Sequence, residues 1–521
     1  MHPGSGCVRG QRGGRCESRA PQVDTFFSQW HSVPPDTETV CSFLSFLNRV
    51  VRRGLACVLA SVRDSMGAPA MPRPLQFHAF TMNCVSFINH GLWRHPEGRH
   101  VDYTDLGGWV DLARLVERAG FDTLFFADTV GVYEGYQGGR ETTVREAVQI
   151  PNGDPSVLIP ALAHATEDLG FAFTSSVQQA HPFEFARRVS TLDHLTGGRV
   201  AWNIVTSFQP SAARNFNSDT AIALQDRYAW AEEYMEVVYK LWEGSWEDGA
   251  VLRDAERGIY TDPARVHSID HRGERYKVAG PHLAEPSPQR TPVLFQAGSS
   301  EAGRTFAGRH AEGTFIIVPD PSSAEVAVSK VRERAVAAGR AAGDVTFVQG
   351  LSLVVGSTEE EAHRLNAEFE EYLSDDAFLA HVSGNVGKDF SVIDPATPLT
   401  EVIKNDVNME GVFRAMIEGA PPGARTWGDM AKLLVSTRVV GTPDQIADQL
   451  ERWAAAGVGG FNVTVVITPG TFEDFAEHLT PVLRARGLMR DRYAPGTLRE
   501  KLSGAGARLP ERHPAARFRK L

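Results

Sequence analysis

From Leu75 onward the apolar positions follow two alternating periods, close to two residues in short runs and close to 3.6 in longer ones. The short runs predict strands at Gln76–Phe87, Thr123–Asp128, Phe171–Val177, Arg199–Ser207, Pro292–Gly298, Gly313–Val318, Val345–Val355 and Gly459–Val466. The longer ones predict helices over Tyr103–Ala119, Pro155–Thr166, Pro182–Leu195, Gln225–Trp242, Glu301–His310, Ser323–Ala337, Glu359–Tyr372, Pro443–Ala455 and Thr471–Arg484. Strands joined through helices must pair in parallel, and eight such units close most simply into an α/β fold, the (β/α)8 TIM barrel. An open doubly wound sheet is the alternative, but no Gly-x-Gly-x-x-Gly follows an early strand.

Two stretches break the alternation, at about 244–288 and 374–434, and long irregular insertions of this kind predict a lid or binding loops. The barrel is therefore expected over 71–495, with 1–70 as a poorly ordered extension and 496–521 as an Arg- and Pro-rich tail that frays. Gly, Arg, Ser and Pro dominate the first twenty residues, a composition that buries too little apolar surface to offset chain entropy. The apolar run Cys41–Ala60 is interrupted by Arg49, Arg52 and Arg53, so it is too broken to span a membrane and too late for a signal peptide. Met66 or Met71 would open the folded part cleanly, which makes the extension dispensable.

Composition narrows the function classes. A net charge of −11 without a basic stripe argues against nucleic-acid binding. Of the five cysteines, Cys7, Cys16, Cys41 and Cys57 precede the barrel and Cys84 stands alone in it, as suits a reducing, cytoplasmic compartment. His90 and His95 lack metal-ligand spacing, so no metal is expected.

Candidate chemistry collects where the strands end, the face on which barrel sites are built. The string Pro292-Val-Leu-Phe-Gln-Ala-Gly-Ser-Ser-Glu-Ala-Gly-Arg304 reads as a strand, a tight turn at Gly298 and a helix start at which Ser299, Ser300 and free N–H groups converge on an anion. A plain serine N-cap is the alternative. Other strand ends supply Asn83, His90, Asp128, Thr174–Ser176, Asn203 with Thr206, and Asn462. Asp128 could instead be a cap or turn residue, Asn203 could satisfy interior polar groups, His90 could be a surface loop residue, and Tyr228 could belong to the core. The set is mostly neutral, with no catalytic carboxylate pair and no Ser-His-Asp order. Such a site suggests that a bound cofactor supplies the reactivity while the protein positions it.

Several strings together resemble one family: Gly91-Leu-Trp-Arg-His95, Phe125-Phe-Ala-Asp128, Ser190-Thr-Leu-Asp-His-Leu-Thr-Gly-Gly-Arg199, Trp202-Asn-Ile-Val-Thr-Ser207, Ala212-Ala-Arg-Asn215, Lys240-Leu-Trp242, Thr261-Asp-Pro-Ala-Arg-Val-His267 and Phe295-Gln-Ala-Gly298. They are similar to the bacterial-luciferase-like flavin monooxygenases, in the branch of nitrilotriacetate monooxygenase component A and dibenzothiophene-sulfone monooxygenase. The resemblance covers about Leu75 to Leu502. It implies a TIM barrel that takes FMN as FMNH2 from a separate NAD(P)H:flavin reductase and uses O2 to put one oxygen atom into a small-molecule substrate. It further implies a cytoplasmic dimer or tetramer with no nucleic-acid or membrane partner.

By motif, the resemblance places Asp128 and Thr174 by the isoalloxazine and ribityl regions. Asn203, Tyr228, Ser299 and Ser300 would hold the ribityl chain and phosphate, and His90 would be the catalytic group that orients substrate or the reacting oxygen. One position departs from the pattern: relatives carry a histidine four places before the tyrosine, and this chain has Leu224. Losing that hydrogen bond would weaken flavin binding by roughly 1 kcal/mol, tolerable if FMN diffuses on and off. A deazaflavin-dependent dehydrogenase and a non-catalytic flavin-binding barrel are the rival expectations.

Overall fold

The computed structural model describes residues 74–520, apart from 217, 219–221, 405–425 and 430–437. The expectation for residues 1–70 therefore lies outside the described residues.

All eight expected strands form: β1 Gln76–Met82, β2 Thr123–Ala127, β3 Gly170–Ser176, β4 Val200–Val205, β5 Val293–Gln296, β6 Gly313–Ile316, β7 Thr346–Val355 and β8 Gly460–Thr464. Neighbours run in the order β6-β5-β4-β3-β2-β1-β8-β7, every pair parallel, and β6 pairs with β7 to close the barrel. A short strand, Val439–Gly441, pairs in parallel with Leu353–Val355 at the end of β7. The strand residues are nearly all buried, because helices cover one face and the lumen the other.

The crossover helices are α1 Leu106–Ala119, α2 Pro155–His164, α3 Pro182–Leu195, α4 Leu224–Tyr239, α5 Glu301–His310, α6 Pro321–Ala337, α7 Glu359–Glu371 and, after a further helix α8 Asp375–Val386, α9 Pro443–Ala455. Most start where a side chain accepts from otherwise free backbone N–H groups: Asp105, Asp154, His181, Ser300, Asp320, Thr358, Ser374 and Thr442.

The lumen is layered. Register sets His78 of β1 beside Thr123 of β2 and Asn462 of β8, a polar level in which His78 Nδ1 and Thr123 Oγ1 are 2.8 Å apart. Over it lies an aromatic level, with ring centroids 5.4 Å apart for Phe80 and Phe125, 5.3 Å for Phe80 and Phe315, and 5.3 Å for Phe125 and Phe295. This level floors the barrel mouth. Asn462, read from the sequence as a strand-end residue, lies below the floor and is fully buried.

The C-terminal segment differs from expectation. Instead of fraying, Leu498–Ser503 forms a helix packed against the start of the strands, and Pro514–Lys520 a 3-10 helix packed on the end of α4 and the turn that follows it. Arg499, 1% exposed, donates to Glu312 at 2.6 Å and to the carbonyls of Thr291 and Pro292. Arg519 likewise donates to the buried Glu243 at 2.6 Å. These arginines look soluble in composition but are consumed by carboxylates remote in the chain.

The insertion at 244–288 is not a lid. It carries two antiparallel hairpins, Val251–Asp254 with Ile259–Thr261 and His271–Arg272 with Lys277–Val278. It packs outside α3 and α4, through His282 on Ser190 and through Glu233 accepting from the backbone of Arg275 and Tyr276. The described start of the second insertion, 374–404, meets the loop that follows β2: Asp376 of α8 accepts from the Tyr136 hydroxyl at 2.9 Å, and Asp389 accepts from Gln137 N and Gly138 N.

Candidate active site

Three polar groups sit at the carboxyl ends of the strands. The first joins β2, β3 and β4 beside a cavity of about 570 Å³, whose lining includes Asp128, Asp154, Thr174, Gln179, Glu184 and Arg188. Thr174 and Asn203 are register partners. Thr174 Oγ1 donates to Phe126 O at 2.9 Å and accepts from Asn203 Nδ2 at 2.9 Å, which leaves Asn203 Oδ1 buried without a partner. Asp128 accepts from Thr129 N at 2.9 Å. Its burial, reinforced by the neighbouring Asp154 carboxylate, pushes its carboxyl up to about 7.

The second group belongs to β5 and the start of α5. Gln296 Nε2 donates to the Tyr228 hydroxyl at 3.3 Å, and Gln296 Oε1 is buried and unpaired. A methyl at Gly298 would meet Gln296 Nε2 at 2.4 Å and the Tyr228 hydroxyl at 2.7 Å, so glycine is needed for this close approach. Ser300 caps α5, its Oγ accepting from Gly303 N at 3.1 Å. Ser299 contributes its carbonyl, which accepts from Arg304. Arg227, one residue before Tyr228, donates to the Ser207 carbonyl.

The third group surrounds His90, which is 2% exposed. Its Nδ1 is 2.8 Å from Ser86 Oγ and its Nε2 is 2.9 Å from Nδ1 of His381 on α8. The His381 ring stands edge-on to Tyr133 at 4.6 Å, and the Tyr133 hydroxyl donates to Gln149, which also lines the cavity. Burial holds His90 well below the ordinary imidazole value, helped by His381, and burial alone lowers His381 to about 4. Both rings are neutral near pH 7.

Of the residues singled out from the sequence, Asp128 and Thr174 line one cavity and Asn203 is bonded to it. Tyr228 and Ser300 meet one strand further round, with Gln296 opposite Ile204 in register. His90 stands in its own cluster with both ring nitrogens engaged. The sequence reading missed Gln296, His381, Tyr133, Gln149, Asp154 and Gln179. Only Gln296 had a visible signal, since it lies inside the strand-turn-helix string that ends in Gly298. Among the described residues, no group of histidine, cysteine and carboxylate side chains is arranged to hold a metal ion.

Comparison with known proteins fixes the family. A family model described as luciferase-like monooxygenase matches residues 82–460. The chain belongs to the luciferase-like monooxygenases. It is 46% identical over 458 residues to the long-chain alkane monooxygenase of Geobacillus thermodenitrificans (strain NG80-2), covering 87% of this chain and 99% of that one. The crystal structure of a long-chain alkane monooxygenase superposes with a TM-score of 0.79, over 86% of this chain and all of that chain. The dimethyl-sulfide monooxygenase of Hyphomicrobium sulfonivorans is 43% identical over 455 residues, 86% of this chain and 94% of that one. A riboflavin lyase solved with modified FMN and riboflavin is 37% identical, with a TM-score of 0.78, over 86% of this chain and 100% of that one. Nitrilotriacetate monooxygenase component A and dibenzothiophene-sulfone monooxygenase are similar at 33% and 32% identity. This luciferase-like monooxygenase is thus an enzyme on a closed parallel barrel, as its sequence motifs imply. Among its described residues no helix is long and apolar enough to cross a membrane.

Proposed function

We propose that this monooxygenase is the oxygenating component of a two-component system, taking FMNH2 from a separate NAD(P)H:flavin reductase and using O2. Each turnover would consume one substrate, O2 and FMNH2 and give the oxygenated product, water and FMN, with one oxygen atom in the product and the other in water. The observation that carries the reading is the succession of neutral hydrogen-bonding groups from β2 to β5, with Asn203 Oδ1 and Gln296 Oε1 buried and unpaired. Unpaired buried acceptors need donors from outside the protein, and a polyhydroxylated ribityl chain supplies them.

In this reading Asn203 and Thr174 orient the ribityl chain, and Tyr228, Ser299 and Ser300 hold the phosphate at the start of α5, where free N–H groups favour an anion. Asp128 lies by the isoalloxazine. A carboxyl near pH 7 can either accept or donate a hydrogen bond there. Reduced flavin supplies the electrons that activate dioxygen. The protein residues exclude water and hold the substrate, and the aromatic floor of Phe80, Phe125 and Phe315 keeps the reacting region dry. His90 acts through His381, since neither of its nitrogens is free to reach a substrate.

Leu224 opens α4 in place of the family histidine, which suits an enzyme whose flavin diffuses in reduced and leaves oxidised. The enzyme acts as a dimer or tetramer in the cytoplasm. The test supplies purified protein with FMN, NADH, a flavin reductase and ¹⁸O₂ and measures label in the product. One labelled atom per product is expected. Substrate oxidation without dioxygen would instead favour hydride transfer to a deazaflavin, and peroxide as the sole product with every substrate would favour a barrel that only binds flavin.

A further inference from the structure

We infer that a second cavity, set beside the barrel mouth and apart from the cavity at Asp128 and Thr174, is the route by which dioxygen reaches the reduced flavin. This rests on the monooxygenase reading above and adds to it the path of one co-substrate. The second cavity measures about 260 Å³ and lies between the end of β1, α1 and the loop after β8. Its inner wall is buried and is made by Met82, Cys84, Phe87, Trp109, Leu112 and Val465. Its charged lining residues, Arg99, Asp102, Asp111, Arg118 and Glu473, are all exposed and form the rim.

The polar groups of this lining are satisfied within the protein. His100 accepts from Thr468 N at 3.3 Å and donates to the Val466 carbonyl. Trp109 Nε1 donates to Tyr103 O at 2.8 Å, and Cys84 Sγ donates to Ser86 O at 3.3 Å. Burial, helped by His95, lowers His100 to about 4, which keeps the ring neutral. At the rim Arg99 pairs with Asp102 and Asp105. Among the described residues, none of the buried polar side-chain atoms left without a partner belongs to this lining. The inner wall offers a ligand neither a hydrogen bond nor a counter-ion. A small apolar molecule gains dispersion contacts there and brings no polar group to desolvate, and dioxygen has that character.

A single layer of chain separates the two cavities. Cys84, which lines the second, is bridged through its backbone to Asn152, which lines the first. Two residues on, Ser86 O accepts from the backbone N of Gln149, another residue of the first cavity. Met82 follows His78 and Phe80 on the lumen side of β1, the side on which the Phe80 ring meets Phe125. Phe87 of the inner wall rests on Phe80, with ring centroids 5.1 Å apart. The second cavity therefore ends beside the aromatic floor. Met82 is unbranched, and its rotamer changes are fast compared with turnover, so this layer passes a diatomic molecule and holds back anything larger. A flavin at the strand ends with an organic substrate over it obstructs the mouth, and a lateral route leaves dioxygen free to arrive.

The test combines xenon with two plugs. Leu115→Trp fills the lining, and Gly108→Leu adds a side chain near the rim, where a new Cβ would meet the side chains of Asp105 at 3.2 Å and Arg99 at 3.7 Å. Crystals of the full-length protein under xenon pressure should show xenon against Met82 and Trp109, and Leu115→Trp should displace it. The protein loaded with FMNH2 without oxygen is then mixed with buffers of rising dioxygen in a stopped-flow instrument. In both variants the bimolecular rate constant for flavin oxidation should fall by roughly fivefold or more, with FMNH2 affinity unchanged. Parent rate constants in both variants would overturn the inference, as would the absence of xenon from this cavity in the parent. If Leu115→Trp does not fold, Gly108→Leu decides alone. If the parent turns dioxygen only into peroxide, the monooxygenase reading fails, while the effect of the plugs on flavin oxidation still decides the route.

Discussion

Asp128 shows how burial, reinforced by the Asp154 carboxylate, sets a chemical state. A carboxyl whose folded pKa is raised from 3.8 to about 7 stabilises the fold fully below the unfolded value, and that contribution is lost as pH rises through about 7. In flavin-free protein, Asp128→Asn should therefore melt with the parent near pH 4 and above it at pH 8, the gap opening across roughly that window in thermal scans. His90 makes a different demand. His90→Ala strands Ser86 Oγ and His381 Nδ1, at a cost of about 1–3 kcal/mol in denaturant unfolding. Because His90 positions His381, the variant should also lose kcat more than it changes KM and release more peroxide per NADH. A loss of stability with coupling intact would make the pair purely structural. The sequence marked both residues as polar groups at strand ends. It could not show that Asp154 stands near Asp128, or that His90 faces another histidine.

At the scale of elements, the start of α5 separates a cap from a ligand site. Ser300→Ala should cost about 1 kcal/mol of stability, because Gly303 N loses its acceptor. Ser300→Asp keeps a competent cap and adds a negative charge, so stability should hold while FMNH2 affinity, read by fluorescence titration, falls by about tenfold or more. Unchanged affinity would remove Ser300 from the phosphate site and leave it as a cap. Elements that pair with their immediate surroundings were legible: β5, Gly298 and α5 follow from one short string. The α8 helix was not legible, since Asp375-Asp-Ala-Phe-Leu-Ala-His-Val-Ser-Gly-Asn has little apolar period and is held by Tyr136 and His90 from other loops. The hairpins of the first insertion are too short to carry an alternating pattern.

For the whole molecule, the C-terminal segment ties together the starts of the strands. Arg499→Ala would leave Glu312 without the guanidinium that meets it at 2.6 Å, and removing one partner of a buried pair costs about 3–5 kcal/mol. A correspondingly lower urea midpoint with an unchanged slope is expected. Removing residues 1–70 should leave melting temperature and turnover as in the full chain, because β1 pairs on both sides from Gln76 and the barrel closes without them. A large fall in either measurement would give that segment a role its composition does not reveal.

The order of strands and helices, the parallel barrel and the family were determined by the sequence itself, because periodicity records which face of each element is buried and the motifs record local turns. The tertiary structure alone decided that Leu498–Ser503 and Pro514–Lys520 fold back on the barrel, that 244–288 lies outside α3 and α4, and that Asn462 sits beneath the aromatic floor. It alone brought His381 to His90 across 291 positions of chain. Burial pattern is a property of one element, whereas a partner, a counter-charge or an unpaired acceptor is a property of elements that meet only when the barrel closes.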